Sequence, residues 1–328
     1  MYLIRNQTKS THVSYDTISE FEKIILNDSS FITKIKLISP FHKFYNFFFK
    51  VFNRFGVNFI LKTNSIFLIN PINDKKHNFI IMMGLDEKKY LPFAFFNVHC
   101  KSVYIFDAWS KDHRKIADFI NKYKIDYMFV TASMAAEKLK CILPQMRIYW
   151  IPEGVSPTEY RVKDYHDKKT DILAFGRKYD IYHNLISDSL RNNGVSYLFE
   201  KTKGEIIFPS RTEFVNGLAD AKISICFPSS LTHPERAGDI ETITIRYFQS
   251  MISKCLIVGQ APQELVNLFG YDPVIEVDWM SPVDQLITIL DNYNDYIPII
   301  EKNYKQVIEN HTWDCRWKQI KEIYKSVS

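Results

Sequence analysis

Short apolar runs alternate with amphipathic runs along most of this chain, and this alternation is the feature that most constrains its fold. SVYIFDAW and IDYMFVTAS are rich in β-branched and aromatic residues, and HRKIADFINKYK lies between them with apolar residues at helical spacing. DILAFGR, HNLISDSLRNN and ISICFPSS repeat the pattern further along. Strands that alternate with helices in this way are typical of parallel βαβ units. The sequence therefore predicts an α/β protein with Rossmann-like sheets.

A polar stretch divides the alternation into two series. It runs from Pro152 to Thr170 and contains two prolines and one glycine, which is typical of a linker. A chain of 328 residues also exceeds the size at which one core usually stops growing. We predict an N-terminal Rossmann-like domain over 1–151, a linker over 152–170, a C-terminal Rossmann-like domain over 171–310 and a terminal helix over 311–328.

The two domains are expected to face each other across a cleft, because doubly wound sheets bind ligands beyond the carboxyl ends of their strands. The terminal helix is expected to pack back on the N-terminal domain. SYLFEK and GEIIFP are two further predicted strands of the C-terminal domain. Side chains at strand ends are therefore the first candidates for a functional site.

Composition and cysteine spacing narrow the class of protein. Hydrophobic residues make up 46% and charged residues 24%, and no stretch approaches the ~20 consecutive apolar residues that span a membrane. The N-terminus lacks the apolar run and cleavage site of a signal peptide, so we expect a cytoplasmic protein. The five cysteines are an odd number without C-x-x-C spacing, which favours reduced thiols over disulfides or a zinc site.

The net charge of +5 is concentrated near the N-terminus, where nine Lys and Arg and four Asp and Glu lie between Met1 and Asn64. In this region, Phe41–Lys62 would place several phenylalanines on one side of a helix and the basic residues elsewhere. Two interpretations stay open: a helix packed on its own domain, or a peripheral contact with anionic lipid or a lipid-linked substrate at the inner face of the membrane. No nucleic-acid-binding signature accompanies the aromatics, so no nucleic-acid partner is expected.

GDIETITIRYFQSM gathers a carboxylate, hydroxyls and a guanidinium before an amphipathic run. We predict a helix that begins near Thr242 to Thr244 and continues to about Ser253, with Thr242 as its cap. The free N–H groups at its start and the positive end of its dipole would favour an anion. Glu241 could accept hydrogen bonds from sugar hydroxyls at this place, or it could simply cap the helix with Thr242.

This segment, with PSS after the preceding strand and SMISKCLIVG after the helix, resembles the nucleotide-binding half of GT-B glycosyltransferases. Retaining members of that family carry Glu-x7-Glu here, and this chain has Glu241-x7-Gln249. The resemblance covers roughly Pro152–Val327 and includes FGR after the first strand of the domain and the tryptophans of HTWDCRW. It implies the two-domain GT-B fold and a nucleoside-diphosphate-sugar donor.

The resemblance also implies roles for individual residues. Glu241 corresponds to the first glutamate, near the donor sugar, and is a candidate catalytic residue. Gln249 stands where the family uses a carboxylate to bind ribose hydroxyls, and its amide forms only the weaker, neutral hydrogen bonds. Arg177 matches the diphosphate-binding arginine. The second cation stays open between Lys178 and Arg246.

The other candidate donor-binding residues lie at strand ends and at the helix start. Two of them are expected near the base, and the sequence singles out no particular base. The full set is Phe208 and Arg211 near the base, with Ser229, Ser230, Thr242, Ile243 and Thr244.

The most chemically loaded strand end of the first domain is YIFDAWSKDH. An inverting transferase needs a general base near the acceptor hydroxyl, and Asp107 or His113 could serve. A retaining enzyme needs no such base. The alternative, in which Asp107 caps a turn and His113 starts a helix, stays open.

We therefore expect a glycosyltransferase that acts on a cell-surface polysaccharide or lipid-linked glycan, with a retaining mechanism. No Asp-x-Asp stands at a strand end, so neither a metal nor a cofactor is expected, and the nucleotide sugar is a substrate. A sugar-nucleotide epimerase of the same fold is one alternative, because a fold does not determine a function. A non-catalytic GT-B-like partner protein is another, and Gln249 is the feature that motivates it.

Overall fold

The structure is a computed structural model, and it describes residues 2–4, 16–28, 33–35, 74–85, 98–176, 178–201 and 206–327. The chain divides into two compact units, Met1–Ile151 and Pro152–Ser328. Arg177 and Phe41–Lys62 lie outside the described residues, so what we expect of them stays a prediction.

Within the described residues, the first unit is built on a six-stranded parallel sheet in the order β2-β1-β3-β4-β5-β6. Its strands are β1 (Tyr2–Ile4), β2 (Thr33–Ile35), β3 (Asp74–Met83), β4 (Val98–Phe106), β5 (Tyr127–Val130) and β6 (Arg147–Trp150). Its helices are α1 (Asp16–Asn27), α2 (His113–Tyr123) and α3 (Ser133–Ile142).

The strands at the centre of this sheet are apolar, because helices cover the sheet. All four residues of β5 are buried, as expected for a strand enclosed on both faces. Helix α2 buries Ile116, Ile120 and Tyr123, which follow each other at spacings of four and three residues. The helical spacing of HRKIADFINKYK therefore predicted both this element and the side that it buries.

Within the described residues, the second unit contains a five-stranded parallel sheet in the order β11-β10-β9-β7-β8. Its strands are β7 (Thr170–Ala174), β8 (Tyr197–Phe199), β9 (Ala221–Cys226), β10 (Leu256–Gly259) and β11 (Ile275–Glu276). Its helices are α4 (Asp180–Asn192), α5 (Arg211–Asp220), α6 (Ser229–Thr232), α7 (Pro234–Ala237), α8 (Ile245–Ile252), α9 (Gln263–Phe269), α10 (Pro282–Asp291), α11 (Ile297–Asn310) and α12 (Trp313–Val327).

The second sheet shares a buried apolar cluster with the helices on one of its faces. Ile172, Ile223 and Val258 from three neighbouring strands join Leu286 of α10 and Ile300 of α11 in this cluster. Each of these side chains is fully buried or nearly so. Both units are thus parallel α/β sheets with helices, and the predicted pair of Rossmann-like folds is confirmed.

Residues 152–170, predicted as a linker, belong to the second unit, and Arg161–Lys168 lie along α5. Arg161 Nη1 donates a hydrogen bond to Asn216 Oδ1 at 2.9 Å. Further along, Lys163 pairs with Asp220, the last residue of α5. The segment therefore runs alongside α5, and its side chains form polar contacts with successive turns of that helix.

Lys168 ends this series of contacts inside the protein. Its side chain is 4% exposed, and its ammonium donates to the carbonyl oxygens of Ala219 and Ala221, both at 2.9 Å, and of Ser253 at 3.1 Å. Burial lowers the pKa of Lys168. Because β9 begins at Ala221, this cage of carbonyls lies at the amino edge of the sheet.

The terminal helix α12 is fixed to the start of the unit by a buried arginine. Arg316 donates to the carbonyl oxygen of Glu153 at 3.1 Å and to His311 Nδ1 at 3.0 Å. His311 is 3% exposed, and its ring stacks on Phe269 with centroids 4.8 Å apart. Burial, together with the Arg316 charge, lowers the pKa of His311 to about 3.

The helices that the structure describes are shorter than the thickness of a membrane requires. The longest that the structure describes, α12, has 15 residues. No helix in the described part of the chain is long and apolar enough to cross a bilayer.

The strand predicted over GEIIFP is wrong in its described part. Residues 206–209 form a bent segment before α5 and pair with no strand. The Phe208 ring covers Gly217 of α5 so closely that a Cβ on that glycine would lie 2.1 Å from Phe208 Cε1. Phe208 therefore packs on a helix and not in a sheet.

Candidate functional site

The order of strands in the second unit identifies the edge where a ligand is expected. The chain passes from β7 to β8 on one side, and then returns to β9 on the other side of β7. In parallel α/β sheets, ligands bind beyond the carboxyl ends of the strands at such a reversal. The ends of β7 and β9, at Ala174 and Cys226, therefore flank the candidate site.

Arg246, in the first turn of α8, joins these two strand ends. Its side chain is 7% exposed. Nη2 donates to the carbonyl oxygen of Phe227 at 3.0 Å, and Nη1 donates to that of Phe175 at 3.4 Å. An arginine stays charged at every physiological pH, so a permanent cation lies at the reversal.

The backbone after β7 has the shape that this arginine requires. Gly176 adopts φ +71°, and a Cβ at that position would lie 3.2 Å from Arg246 Cδ. Glycine therefore serves both the left-handed turn and the close contact. Burial raises the pKa of the neighbouring Cys226 thiol, and the Arg246 charge acts against that rise.

Lys178, the other candidate for the second cation, contacts the end of β8. Its ammonium lies 3.4 Å from the carbonyl oxygen of Glu200, 3.7 Å from the Asp180 carboxylate and 5.6 Å from the centre of the Phe199 ring. Of the two candidates, only Arg246 bonds both strand ends at the reversal.

Helix α8 begins within one residue of the predicted range, and its cap differs from the prediction. The N-cap residue is Thr244, whose side chain makes no capping hydrogen bond, so the prediction that Thr242 caps the helix is wrong. The hydroxyls of Thr242 and Thr244 are buried and have no hydrogen-bond partner in the described part of the chain. Such groups cost about 1–3 kcal/mol each when they stay unbonded.

Two glutamates hold the backbone around the start of α8. The Ile243 N–H donates to Glu264 Oε1 at 3.1 Å, and the Ile243 side chain is fully buried. This amide is therefore already bonded within the protein. Glu241 is half-buried, and its Oε2 lies 3.4 Å from the backbone N–H of Gln263, at the start of α9. A predicted catalytic carboxylate thus also contacts a helix terminus.

Ser229 and Ser230 follow the end of β9, where the sequence placed them, and begin the short helix α6. Ser229 is fully buried, whereas Ser230 is partly accessible. Their roles in donor binding stay predictions.

Gln249 lies one turn after Arg246 and contacts the segment 152–170, which was predicted as a linker. Its side chain is 5% exposed, and Nε2 donates to the Tyr160 hydroxyl at 3.0 Å. No other hydrogen bond of this side chain is found among the described residues. Whether its amide binds ribose stays a prediction.

The two candidate base-site residues meet at the first turn of α5. Ser210 and Glu213 form a capping box that defines this helix start. The Arg211 guanidinium lies 4.7 Å from the centre of the Tyr160 ring and 5.5 Å from that of Phe214. The Phe208 ring packs edge-on against Phe214 at 6.0 Å.

In the first unit, Asp107 and His113 follow the end of β4. Asp107 is half-buried and adopts φ +53°, a strained conformation that is tolerated mainly by glycine, asparagine and aspartate. His113 is buried at the start of α2, and its Nε2 lies 3.0 Å from the Ala108 carbonyl oxygen. A carbonyl only accepts, so Nε2 carries the hydrogen and Nδ1 is the basic nitrogen of this ring. Of the two side chains, that of Asp107 is the more exposed.

Two parallel Rossmann-like units of this kind define the GT-B fold of glycosyltransferases, and solved structures of that class match this chain. The Anabaena protein HepE in complex with UDP and glucose is 9% identical, with 99% of both chains covered and a TM-score of 0.57. A glycosyltransferase from Rickettsia africae is 12% identical, with 99% of this chain and 97% of that one covered and a TM-score of 0.53. No protein-family model matches the sequence, and a comparison with curated protein sequences finds no match. At these identities the likeness establishes the fold.

Sequence reasoning missed two residues at this edge, Tyr160 and Glu264. Tyr160 is 89 positions from its hydrogen-bond partner Gln249, and Glu264 is 21 positions from Ile243. Neither lies in GDIETITIRYFQSM, the segment that carries Glu241-x7-Gln249. Their spacing alone carried no signal, because both contacts depend on how the loops and helices pack.

Proposed function

We propose that this chain is a glycosyltransferase that moves a sugar from a nucleoside-diphosphate sugar to a hydroxyl of a glycan or lipid-linked acceptor. The observation that carries the proposal is Arg246, a buried cation bonded to the backbone ends of β7 and β9. It lies in the first turn of α8, where the helix dipole adds positive potential. A diphosphate is the anion that suits such a place in a GT-B fold.

In the proposed reaction, the bond between the anomeric carbon and the diphosphate oxygen breaks and a bond to the acceptor oxygen forms. The acceptor hydroxyl loses its proton, and the nucleoside diphosphate leaves with the electron pair. Arg246, the start of α8 and Arg177 would stabilise the negative charge that develops on the leaving group. The unbonded hydroxyls of Thr242 and Thr244 would supply further polar contacts.

The mechanism is proposed to be retaining and independent of a metal. Glu241 would lie near the donor sugar, and the departing phosphate would take the acceptor proton. If the reaction inverts instead, Asp107 is the preferred base, because its side chain is partly exposed whereas that of His113 is buried. An acceptor presented at the inner face of a membrane would be met by Phe41–Lys62.

A non-catalytic GT-B-like protein is the second candidate, and the Gln249 contact favours it. A side chain that is 5% exposed and bonded to Tyr160 offers less to a ribose than a free carboxylate does. Such a protein would bind nucleotide weakly or not at all, and it would transfer no sugar.

Calorimetry with UDP, GDP, dTDP and CDP tests the donor site directly. We expect wild type to bind at least one of them and Arg246→Ala to weaken that binding tenfold or more, since hydrogen bonds to charged groups contribute about 1.5–3 kcal/mol. Arg191→Ala is the matched control, because Arg191 is exposed on the last turn of α4. Failure of wild type to bind any of the four would favour the non-catalytic candidate.

Turnover separates transfer from epimerisation. Mass spectrometry of sugar nucleotides incubated with wild type should show loss of donor only when a glycan acceptor is added. Glu241→Ala and Arg177→Ala should slow this loss. Donor conversion without an acceptor would point to an epimerase. Turnover of both variants at the wild-type rate would show that these residues are wrongly assigned.

A further inference from the structure

Tyr160 joins two predicted parts of the donor site through two different kinds of contact. The side chain is 8% exposed, and its hydroxyl accepts a hydrogen bond from Gln249 Nε2 at 3.0 Å. The face of its ring lies 4.7 Å from the Arg211 guanidinium carbon, within the range of a cation–π contact. One tyrosine therefore contacts α8 through its oxygen and α5 through its ring.

The backbone around Tyr160 is held in place by its neighbours. It directly follows a helical turn over Pro157–Glu159. Arg161, the next residue, bonds Asn216 of α5, and Lys163 pairs with Asp220. These contacts fix Tyr160 beside the first turn of α5 without involving Gln249 or Arg211.

The Tyr160 contact orients the amide at position 249. The Gln249 amide donates to the Tyr160 hydroxyl through Nε2 and keeps Oε1 as an acceptor. With its nitrogen fixed by Tyr160, the amide has one orientation instead of several. A pre-ordered side chain loses less rotational freedom when a ligand binds.

We propose that Tyr160 is a positioning residue for the nucleoside part of the donor. It holds Gln249 so that Oε1 accepts from a ribose hydroxyl, and it holds Arg211 at the edge of the base. This inference rests on the proposed function, because it assumes that a nucleotide binds at this edge of the sheet. It assigns a binding role to a segment that the sequence indicated only as a linker.

Three variants separate the contacts of Tyr160. Tyr160→Phe removes the hydroxyl and keeps the ring for Arg211, Tyr160→Leu removes both, and Gln249→Leu removes the amide. Tyr165→Phe is the matched control, since it makes the same change in the same segment and removes a hydroxyl that bonds Glu301 instead of Gln249. Each is titrated by calorimetry with UDP, GDP, dTDP and CDP, and each melting temperature is measured alongside.

We expect Tyr160→Phe to weaken nucleotide binding two- to tenfold, which corresponds to one side chain that must be ordered on binding. Tyr160→Leu should weaken it further, because the Arg211 contact is lost as well. Adding Tyr160→Phe to Gln249→Leu should cost nothing more, since the two residues share one contact. Tyr165→Phe should bind like wild type. With a donor substrate, KM should rise in Tyr160→Phe while kcat stays unchanged.

Two outcomes overturn the inference, and they are distinguishable. If wild type binds nucleotide and Tyr160→Phe and Tyr160→Leu bind it with the same affinity, Tyr160 serves only stability, and the proposed function stands. If wild type binds none of the four nucleotides, the proposed function fails and the inference fails with it.

Discussion

His311 should make the second unit sensitive to mild acid, and this prediction can be worked through from the structure. The imidazole is buried, stacks on Phe269 and accepts a hydrogen bond from Arg316 at Nδ1. Its other nitrogen, Nε2, has no hydrogen-bond partner among the described residues. A proton on this ring would place a second cation beside Arg316 in a dry environment, so the folded protein keeps the ring neutral.

The sign and the size of the effect follow from the two pKa values. In the unfolded chain His311 takes up a proton near pH 6.5, whereas in the folded protein its pKa is lowered to about 3 by burial, together with Arg316. Between these values the unfolded state binds more protons, so stability is complete above pH 6.5 and falls as the pH falls. One pH unit corresponds to about 1.4 kcal/mol. From pH 7.5 to 5.5 the free energy of unfolding should therefore fall by about 1.4 kcal/mol on account of His311 alone.

Urea unfolding at the two pH values measures this loss, with tryptophan fluorescence as the signal. Trp313 and Trp317 are buried in α12, close to His311 in sequence, and report on this region. His311→Asn is the comparison variant, because an asparagine oxygen can accept from Arg316 in place of Nδ1 and does not titrate. The variant should be less stable at pH 7.5, since the stacking is lost, but its stability should change less between the two pH values.

Only the difference between the two pH dependences tests the reasoning, because carboxylates elsewhere contribute equally to both proteins. We expect the wild type to lose about 1.4 kcal/mol more than the variant. Equal losses in the two proteins would show that His311 is protonated in the folded state at pH 5.5, and the argument from burial and Arg316 would be refuted.

Three further predictions rest on single contacts. Lys168→Met should lower the free energy of unfolding by about 3 kcal/mol, because three carbonyl oxygens lose their charged donor. In the same denaturant titration, Lys169→Met, at the exposed neighbouring lysine, should stay within about 0.5 kcal/mol of wild type. Gly259→Ala should lower the free energy of unfolding by more than about 3 kcal/mol, since its Cβ would lie 1.9 Å from the Cys226 carbonyl oxygen. Gly270→Ala has open space around it and should lower that free energy by only about 1 kcal/mol, on account of its positive φ. Similar losses in the two variants would contradict the steric argument. Titration of the native protein with a thiol reagent should show a fast phase at the exposed Cys141, which Cys141→Ser should remove, and slow reaction at Cys100 and Cys255, whose burial raises their pKa to about 12 and about 11. A fast phase that survives in Cys141→Ser/Cys315→Ser, which also lacks the half-buried Cys315, would contradict this assignment.

The fold was predictable where a local pattern and a buried face agree. Helix α2 was predictable because the apolar spacing of HRKIADFINKYK marks the side that it buries. β1 was not predictable, since it has three residues and gains its place only by pairing with two other strands. In GEIIFP the apolar residues read as a strand, but Phe208 packs on Gly217, and no period in the sequence records that contact.

The residues of the family-like motif could be predicted from the sequence, but the contacts that hold them in place could not. Arg246 could be named from the sequence because it lies in the segment that resembles the family motif. Its bonds to the ends of β7 and β9 depend on the strand order, which a sequence does not state. Gln249 was recognisable as a departure from a glutamate, but its hydrogen-bond partner Tyr160 lies in a segment that composition had marked only as a connection.

The contacts of residues 152–170 determine where a C-terminal fragment of this protein should begin. A C-terminal fragment that starts at Asp171, the boundary that composition suggests, would discard Lys168 from its three carbonyls and Tyr160 from Gln249 and Arg211. It would also lose the Glu153 carbonyl that Arg316 bonds. Limited proteolysis should therefore spare residues 152–170 even though their composition is that of a loop, and any half-protein intended for nucleotide titration should begin no later than Pro152.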